Sequence, residues 1–434
     1  MSIDSRVDVA VVGAGVVGAA LALALARDGL AVALVEAREP EPFDPAGEWD
    51  LRVYALAPGP AAMLERLGAW PHPAAARAQP YRAMRVWEDA PGQGLAFDAD
   101  QVGEPQLGWI VEDRALRAAL WQAVCDEPRV QRLCPARVTA FEAGAREAVL
   151  GLDSGARVRA RLAVAADGAW SPLRELAGLR TEGRDYAQRA VVAHVATTRP
   201  HHDTAWQRFT ADGPLALLPL ADGRSSVVWS LRDARAAEVL ALDDDAFCRE
   251  VGAAFDGPVG AITATSPRVA FPLCLQLAEA YAGPRLALVG DAAHVVHPLA
   301  GQGLNLGLLD AAALAQVLVA AHAAAEDPGA ATTLARYRRW RESDAALAAK
   351  SLDLIDALFR TDTPGIGWLR RGGMAWVDRL APLKRRLALH ACGWAGRVPP
   401  LAQRLPAQRS MRWLSAARFS APDVPSMSKL RLIR

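Results

Sequence analysis

Residues 289–310, VGDAAHVVHPLAGQGLNLGLLD, hold the densest group of side chains that could do chemistry. Two aspartates, two histidines and four glycines interrupt an otherwise aliphatic run, which reads as the end of a strand and the start of a helix. His294 and His297 have the spacing of one helical face, which would suit a metal ion. Metal binding needs at least a third ligand, and Asp291 is better explained by a nucleotide site, so we predict no metal here.

A glycine pattern near the N-terminus predicts that nucleotide site. Gly13, Gly15 and Gly18 spell G-x-G-x-x-G after the β-rich run 7–12, and a second β-rich run ends at Glu36. The glycines allow a tight turn, approach of backbone amides to a pyrophosphate and close helix packing, and the acid accepts from ribose hydroxyls. The acid favours FAD or NAD over NADP at this site, but spacing alone does not choose between them. A generic glycine-rich turn would leave Glu36 unexplained.

Two further residues could serve the same site. Arg52 stands on a predicted loop before an amphipathic helix that runs to Leu67, and it is either a surface charge or a phosphate partner. Asp167 follows a buried strand at an Asp-Gly turn, with a helix predicted to start near Ser171 and Pro172. Open α/β sheets bind ligands at the carboxyl ends of their strands, but aspartate also caps turns and helices. Both alternatives stay open for each residue.

The elements that must position these residues change character along the chain. The N-terminal part alternates strand and helix, as expected of a parallel α/β fold. From about Asp185 to Gly283 the runs RAVVAHVATT, PLALLPL and SSVVWSL predict strands, and Asp222-Gly223 between the last two is a strong hairpin signal. We predict an antiparallel sheet inserted into the nucleotide-binding domain, where it can cover a pocket over a bound cofactor.

The composition is that of an ordinary globular chain, with 52% hydrophobic and 22% charged residues over 434 positions, enough for two domains. Five cysteines without a C-x-x-C pair argue against a disulfide framework or a zinc ribbon, and they fit a reducing cytoplasm. The apolar run 9–26 reaches the length of a membrane span. Its glycine pattern explains it better, so we predict a soluble protein.

Charge is divided unevenly along the chain. Residues 368–434 carry 14 Lys and Arg against 2 acidic residues, whereas residues 1–367 carry 35 against 46. The basic tail interleaves arginines with tryptophans, among them Trp368, Trp376 and Trp394. Such a segment could lie on an anionic membrane surface, or pack on the acidic body or on a partner subunit, and both readings stay open. We predict no nucleic-acid binding, because no recognition motif accompanies the charge.

The three motifs together resemble a known family. The glycine pattern, the turn at Asp167 and Gly290-Asp291 before HPLAGQGLNLG have the order seen in single-component flavoprotein hydroxylases with the p-hydroxybenzoate hydroxylase fold. Within that group, GDAAHVVHPLAGQGLNLGLLD resembles the signature of the ubiquinone-biosynthesis hydroxylases, the UbiH/UbiF/UbiI (VisC-like) family. LRVYALAPGPAAMLERLGAW, LGWIVEDRALRAALW and LLPLADGRSSVVWSL resemble its UbiI and UbiF branches. The resemblance covers roughly residues 6–390.

The resemblance implies FAD as the bound cofactor and gives each motif a role. The pyrophosphate would contact the three glycines of the G-x-G-x-x-G pattern, and the adenosine ribose would contact Glu36. Arg52 matches an arginine that reaches the cofactor, and Asp291 matches the aspartate that holds the ribityl or pyrophosphate region. Asp167 belongs to the Asp-Gly motif associated with FAD and with the nicotinamide donor.

The segment after Asp291 would meet the flavin ring. Its backbone would lie against the pyrimidine edge at the start of a helix, with Pro298 stiffening the approach and the contacts made by Gly301, Gly303, Leu304 and Asn305. One position departs from the wider superfamily, in which an arginine often follows the strand at IVEDRAL. Here that position holds Asp113, with Arg114 one step out of register, so we assign Arg114 no cofactor role.

The fold implied is α/β, with a Rossmann-like FAD-binding domain, an inserted antiparallel β-sheet substrate domain and a helical C-terminal region. We place the FAD-binding domain at 1–75, 105–184 and 283–360. The substrate domain would comprise 76–104 and 185–282, and the basic helical C-terminal region 361–434.

The implied reaction is hydroxylation of a polyprenylated phenol in ubiquinone biosynthesis. NADPH or NADH would be the transient electron donor, and a flavin C4a-hydroperoxide would be kept from water. With one G-x-G-x-x-G in the chain, the donor would share the flavin cleft. We identify no committed general base. His297 is a candidate for the proton relay that a phenol requires, and the alternative is that both histidines hydrogen-bond loop backbone.

Two other functions stay open on the sequence: another flavin enzyme of the same fold, such as a prenyl reductase, and a non-catalytic flavoprotein-like assembly subunit of a lipid or quinone biosynthesis complex. The expected partners are the polyprenylphenol, a membrane surface that binds the basic C-terminal region, and other ubiquinone-biosynthesis proteins. The expected location is the cytoplasm, peripheral on the inner face of the cytoplasmic membrane.

Overall fold

Every strand of the described residues lies before position 300, in the order that the alternating β-rich and helical runs predict. The computed structural model describes residues 4–70, 77–88, 91, 94–296, 302–342, 344 and 378–404. The helices are α1 (Val16–Arg27), α2 (Pro58–Arg66), α3 (Asp113–Cys125), α4 (Pro172–Leu176), α5 (Asp233–Ala241), α6 (Asp244–Phe255), α7 (Gly303–Ala323), α8 (331–342) and α9 (Ala381–Ala391). The strands are β1 (Asp4–Val12), β2 (Val32–Val35), β3 (Val53–Leu56), β4 (Gln79–Tyr81), β5 (Ala83–Trp87), β6 (Gly94–Asp98), β7 (Gly108–Glu112), β8 (Val130–Leu133), β9 (Val138–Ala143), β10 (Ala148–Leu152), β11 (Arg157–Ala165), β12 (Thr181–Thr197), β13 (Thr204–Phe209), β14 (Pro214–Pro219), β15 (Ser225–Arg232), β16 (Ile262–Thr265), β17 (Val269–Ala278), β18 (Ala282–Gly283), β19 (Leu286–Leu288) and β20 (His294–Val295).

The first sheet has eight strands and a parallel centre. Its order is β18-β19-β11-β1-β2-β8, and β10 and β9 continue from β11. β1 pairs in parallel with β2 and β11, and β11 pairs in parallel with β19. The register aligns Val12 with Val35 and Ala165, and Ala165 with Leu288. Four parallel strands therefore end level with one another at one edge of the sheet.

The second sheet has nine strands, in the order β20-β17-β12-β15-β14-β13-β5-β6 with β16 beside β12. Its pairs are antiparallel except for β5 with β13. The strands come from 83–98, 181–278 and 294–295, close to the predicted substrate-domain ranges. β14 and β15 form the hairpin predicted at Asp222-Gly223, where Gly223 has φ +88°. The predicted α/β fold with an inserted antiparallel sheet is confirmed.

The two faces of the nine-stranded sheet pack differently. One face, with Val191, Val227 and Trp229, is covered by α5 and α6 and forms a fully buried core. The other face carries Ala190 and Val192, which pack with Leu51 from the loop before β3. Side chains alternate along a strand, so the residues of this second face point away from α5 and α6. They pack instead with the segment that leads to Arg52.

A third, small sheet was not predicted. β3 and β4 both pair antiparallel with β7. β3 starts directly after Arg52, where the sequence predicts a loop followed by an amphipathic helix, and that helix is α2. Four residues between a charged loop and a helix give too short a pattern to distinguish a strand from the loop around it.

Among the described residues, α7 is the one helix long and apolar enough to cross a membrane, and 72% of its most apolar window is buried within the protein. Leucine, alanine and valine occupy 15 of its 21 positions, which is the pattern of a helix packed on most sides. Gly307 lets α7 approach the chain closely, because a Cβ there would lie 2.8 Å from Val17 Cγ2 and 3.0 Å from Gly290 Cα. Thus α7, α1 and the turn after β19 meet at one point.

Candidate functional site

The candidate site lies where the four parallel strands end. Gly13 follows β1, Glu36 follows β2, Asp167 comes two residues after β11, and Asp291 comes three residues after β19. Because these strands end level in the sheet, the four residues emerge at the same edge. We call this edge, together with the start of α7, the cofactor cleft.

The glycine turn has the geometry that its spacing predicts. Gly13 has φ +101°, and a Cβ on it would lie 2.4 Å from the Ala166 carbonyl oxygen and 2.9 Å from the Asp167 Cα. A Cβ on Gly18 would lie 2.0 Å from the Gly13 carbonyl oxygen. A Cβ on Gly15 would meet no atom within 4 Å. Two glycines are therefore required for packing, and the third, at the N-terminus of α1, leaves open space where a phosphate group would be bound.

Glu36 closes the other side of this turn. One carboxylate oxygen accepts from the Ala14 amide at 2.6 Å, and the other accepts from the Arg38 amide at 3.1 Å. A carboxylate has about four acceptor positions, so a ribose hydroxyl can still be bound. The structure thus joins the two halves of the predicted nucleotide motif directly.

Asp167 has the cap role that its sequence also allows. It accepts from the Ser171 hydroxyl and, at 3.0 Å, from the Leu173 amide, and so it fixes the start of α4. Burial raises its pKa, while these hydrogen bonds oppose the shift. Its backbone also packs on Gly13. Asp167 therefore supports the glycine turn through its backbone and caps α4 through its side chain. Its contact with FAD or with the nicotinamide donor stays a prediction.

Asp291 and Arg52 form the charged part of the cofactor cleft. The Asp291 side chain is solvent-accessible, yet the protein around it removes part of its hydration and so raises its pKa. The charges of His294 and Arg52 oppose this shift. The pKa of Arg52 is raised by Tyr54, with burial opposing, and by the acidic groups of Asp113 and Asp291. The Arg52 guanidinium lies over the Tyr54 ring at 5.5 Å. An accessible carboxylate and an accessible guanidinium in one cleft suit a cofactor that carries both hydroxyls and phosphates.

The start of α7 faces the same cleft. The first backbone bond of the helix runs from the Leu306 amide to the Gln302 carbonyl at 2.9 Å, so the amides of Gly303 and Leu304 precede it. Asn305 accepts from the Ala57 amide at 2.9 Å and donates to the Ala55 carbonyl at 2.8 Å. The Asn305 side chain therefore ties the helix to β3, and its backbone remains the part that could meet the flavin. Pro298, Gly301 and His297 lie outside the described residues.

His294 has a different role from either reading of the sequence. It lies in β20 and not on a helix, and its Nε2 contacts Asp310 Oδ2 of α7 at 2.5 Å in place of loop backbone. Asp310 also accepts from Arg341 Nε at 2.7 Å and from the Gly290 amide at 3.1 Å. Although burial opposes it, His294 and Arg341 hold the pKa of Asp310 below its usual range. The helical spacing suggested a metal because the strand was not foreseen.

No group of three His, Cys, Asp or Glu side chains in the described part of the chain could hold a metal ion. FAD fits the residues present better. A dinucleotide needs partners for its pyrophosphate and for its hydroxyl groups. The cleft offers these in the open space at Gly15, in the Glu36 carboxylate that is bound to the Ala14 amide, and in the Asp291 and Arg52 side chains.

An apolar layer joins the cofactor cleft to the nine-stranded sheet. Leu51, next to Arg52, packs with Tyr186, Val192 and Leu273 of the sheet. Further residues of the same layer are Ala190, Val228, Val269 and Leu275. Leu275 also packs, together with Leu277, against Val296 and Leu306, and so extends the layer to α7. Leu306 lies in the first turn of α7. Leu51 and Leu306, which adjoin residues of the cofactor cleft, thus pack in apolar clusters with side chains of the nine-stranded sheet.

His194 is a buried polar group on the face of the sheet that carries this layer. It is fully buried, its ring meets Trp49 edge-on at 6.4 Å, and neither ring nitrogen has a hydrogen-bond partner among the described residues. Burial and Arg224 lower the pKa of His194 to about 4, with Asp222 and Asp50 opposing. It is therefore neutral at physiological pH.

His194 is expected to make the protein sensitive to acid. The folded protein binds a proton at His194 less readily than the unfolded chain does. The stability that comes from neutral, buried His194 is therefore fully present above the unfolded pKa of about 6.5, and it is lost as the pH falls toward 4. Denaturation titrations should show the stability of the wild type falling by about 3 kcal/mol relative to His194→Leu between pH 7 and pH 4. Parallel pH profiles would contradict this assignment. His322→Gln, at an exposed position, is the control.

Several site residues carried no sequence signal of their own. Tyr54 donates to Asp113 at 3.1 Å and contacts Arg52. It lies in β3, a strand that the sequence does not predict. Asp310 was part of the opening motif without an assigned role. Its position seven residues after Gly303, on the buried side of a predicted helix, is the signal that could have found it.

Comparison with known proteins agrees with this geometry. A family model described as an FAD binding domain matches residues 6–349. The 3-demethoxyubiquinol 3-hydroxylase of Escherichia coli (strain K12) is 37% identical over 386 residues, which cover 89% of this chain and 98% of that protein. The ubiquinone hydroxylase UbiL of Rhodospirillum rubrum is 38% identical over 405 residues, which cover 93% and 94% of the two chains.

The crystal structure of the p-nitrophenol 4-monooxygenase PnpA from Pseudomonas putida DLL-E4 superposes with a TM-score of 0.73 at 19% identity, and it covers 91% of this chain and 100% of that one. This likeness supports the fold alone. Together with the family match, it confirms the predicted architecture, and FAD is the cofactor. The chain belongs to the FAD-dependent hydroxylases of ubiquinone biosynthesis.

Proposed function

We propose that this protein hydroxylates the aromatic ring of a polyprenylated phenol of ubiquinone biosynthesis, in the manner of the UbiI and UbiF branch. Bound FAD would supply the redox chemistry, in which NADPH or NADH is oxidised and one oxygen atom of O2 is added to the ring. The other oxygen atom leaves as water, so one nicotinamide is oxidised for each hydroxyl formed. The observation that carries the proposal is the apolar layer shared by the cofactor cleft and the nine-stranded sheet.

The chain's own groups would hold the cofactor at this layer. The turn from Gly13 to Gly18 would bind the pyrophosphate, and Glu36 would bind the adenosine ribose. Asp291 and Arg52 would hold the middle of the cofactor, and the amides that begin α7 would lie against the flavin ring. A helix N-terminus carries partial positive charge, which stabilises negative charge on the ring edge.

The chemistry of the layer favours a prenylated substrate over a small polar phenol. Leu51, Leu275 and Leu306 come from three separate segments and belong to the apolar clusters beside the cleft. Burying an isoprenoid chain against such residues is favourable by about 25 cal/mol per Å² of apolar surface. A water-soluble phenol would gain little from these clusters.

Mass spectrometry of quinone intermediates tests the proposal and identifies the ring position. A bacterial strain that lacks its own ring hydroxylase accumulates the unmodified prenylphenol. Expression of this chain is expected to remove that intermediate and to restore the product one oxygen atom heavier. Persistence of the intermediate in strains deleted for each ring hydroxylase in turn would contradict the proposal and would favour a non-catalytic assembly subunit.

We further propose a peripheral position on the cytoplasmic face of the membrane, where such a substrate resides. On α9, Arg385, Arg386 and Leu387 are exposed, whereas Lys384 is held by Asp378 at 2.8 Å. Trp394 packs against the protein with Ala388 and Cys392. Lys384 and Trp394 therefore do not support the predicted lipid surface, whereas Arg385 and Arg386 are free to contribute to it. Trp368 and Trp376 lie outside the described residues.

Replacing both Arg385 and Arg386 with glutamine is expected to weaken binding to anionic vesicles by about 30-fold, since each basic residue contributes about 1 kcal/mol near a charged surface. Co-sedimentation with phosphatidylglycerol-containing and neutral vesicles measures this. Arg146→Gln with Arg157→Gln, also at exposed positions, is the control. Equal binding of the two double variants would contradict membrane docking through α9.

A further inference from the structure

Arg77 is a buried arginine whose hydrogen bonds converge on one loop. Its side chain is 5% exposed. Nε donates to the Pro45 carbonyl at 2.9 Å, Nη1 donates to the Glu48 carbonyl at 3.3 Å, and Nη2 donates to the Gly47 carbonyl. Three carbonyls within four residues are thus bound by one planar guanidinium. Lysine cannot reproduce this, because its ammonium is a single point of donation.

The same loop also encloses the guanidinium with aromatic rings. The Arg77 guanidinium carbon lies 4.8 Å from the centroid of Trp49 and 5.6 Å from that of Phe43. Cation–π contacts of this kind are stronger when the cation is removed from water. The segment from Phe43 to Trp49 contains no helix or strand of its own. Among the described residues, its main anchor is therefore Arg77.

Glu112 connects this anchor to the FAD-binding domain. It is 1% exposed at the end of β7, and it accepts from Arg77 Nη1 at 3.1 Å and from the Asp50 amide at 2.6 Å. A buried ion pair contributes little net stability, because both charges lose their hydration. The pair also has a geometric effect: it ties the loop to β7 through the carbonyls that Arg77 binds and through the Asp50 amide, which donates to Glu112.

The position of Arg52 depends on this arrangement. Its amide donates to Asp50 Oδ1 at 3.0 Å, its carbonyl accepts from the Asp113 amide at 2.9 Å, and Val53 then pairs with Glu112 in the small sheet. The position of Arg52 in the cofactor cleft is therefore set by residues that are bound to Glu112 or adjacent to it.

We propose that the Arg77–Glu112 pair is a positioning element, which fixes the loop from Phe43 to Asp50 and thereby holds Arg52 in place for the cofactor. This rests on the FAD-binding role of the cleft and goes beyond it, because the hydrogen bonds that Arg77 and Glu112 make to described residues go to the loop, to Asp50 and to each other. Loss of the pair frees the loop and moves Arg52 without removing any residue of the cleft itself.

Proteolysis measures the loop directly. The peptide bond after Glu48 includes the carbonyl that Arg77 binds, so holoenzyme carrying Arg77→Lys is expected to be cleaved there by endoproteinase Glu-C about tenfold faster than wild type. Arg285→Lys is the matched control: Arg285 is also buried, binds the Arg161 carbonyl at 3.2 Å and pairs with Asp327, but it lies on another loop. It should leave cleavage after Glu48 unchanged.

Flavin titration measures the effect on Arg52. FAD affinity is expected to fall about tenfold in Arg77→Lys and in Arg52→Ala, and the double variant is expected to lose little more than either single variant, because both act on the same contact. Glu112→Gln keeps the side-chain shape and carries the same test if Arg77→Lys does not fold. Additive losses, or unchanged cleavage after Glu48, would overturn the proposal. Neither assay uses a phenol, so failure of the proposed hydroxylation leaves these outcomes unaffected.

Discussion

Replacing Asp310 with alanine is expected to lower the free energy of unfolding by about 3–5 kcal/mol, the typical cost of removing one partner from a buried ion pair. The Asp310 carboxylate is fully buried between His294 and Arg341, and it also accepts from the Gly290 amide. Without it, a guanidinium that is 3% exposed loses a buried carboxylate partner. The turn that carries Asp291 loses its link to α7 at the same time.

Chemical denaturation of the apoprotein measures this loss. Asp100→Ala is the control, because Asp100 is 85% exposed and its contact with Arg82 is a surface pair, which is worth about 1 kcal/mol or less. We expect Asp310→Asn to be milder than Asp310→Ala, since the amide can still accept one hydrogen bond. A loss in Asp310→Ala no larger than in Asp100→Ala would show that the network is not a structural anchor.

Substituting Gly18 with alanine is expected both to destabilise the fold and to abolish FAD binding. The added Cβ would lie 2.0 Å from the Gly13 carbonyl oxygen and 2.9 Å from the Ala166 Cβ, so the glycine turn must move as a whole. Overpacking in a well-packed core costs about 1–3 kcal/mol, and here the atom displaced is backbone. Thermal melting of the apoprotein and flavin content after purification measure the two effects.

Gly15→Ala separates cofactor binding from folding. Its Cβ would meet no protein atom within 4 Å, so the apoprotein should melt like the wild type while FAD binding is lost. Gly252→Ala, within α6 with its nearest contact at 3.7 Å, controls for the general effect of glycine replacement in a helix. If Gly15→Ala bound FAD normally, the space before α1 would not be the pyrophosphate site.

The cofactor cleft could be predicted from the sequence because its parts are local. A glycine turn, the acid that ends the next strand and an Asp-Gly turn each carry their meaning within a few residues, and parallel strands then bring them to one edge. The hairpin at Asp222-Gly223 was predictable for the same reason. Asp167 was the partial exception, since only its hydrogen bonds to Ser171 and Leu173 reveal the cap.

The rest of the site depends on contacts between distant segments. Glu112 and Arg77 are separated by 35 residues, and Asp310 and Arg341 by 31, so no spacing rule connects them. His294 was misread because two residues of strand at β20 leave no periodic signal. Arg52 was ambiguous for the same reason: its meaning comes from Tyr54, Asp113 and Asp291, which only the fold brings to it.

The central claim is that this chain uses FAD and NAD(P)H to place an oxygen atom on a prenylated phenol. The most direct measurement supplies purified, FAD-loaded protein with NADPH or NADH, a short-chain prenylphenol and oxygen-18-labelled O2, and follows nicotinamide oxidation and product mass together. We expect oxidation to accelerate with the phenol and one labelled oxygen to appear in the product. Asp291→Ala should bind FAD about 10–100-fold more weakly and lose both signals in parallel. A flavin-loaded protein whose nicotinamide oxidation ignores prenylphenols and yields no labelled product would contradict the account.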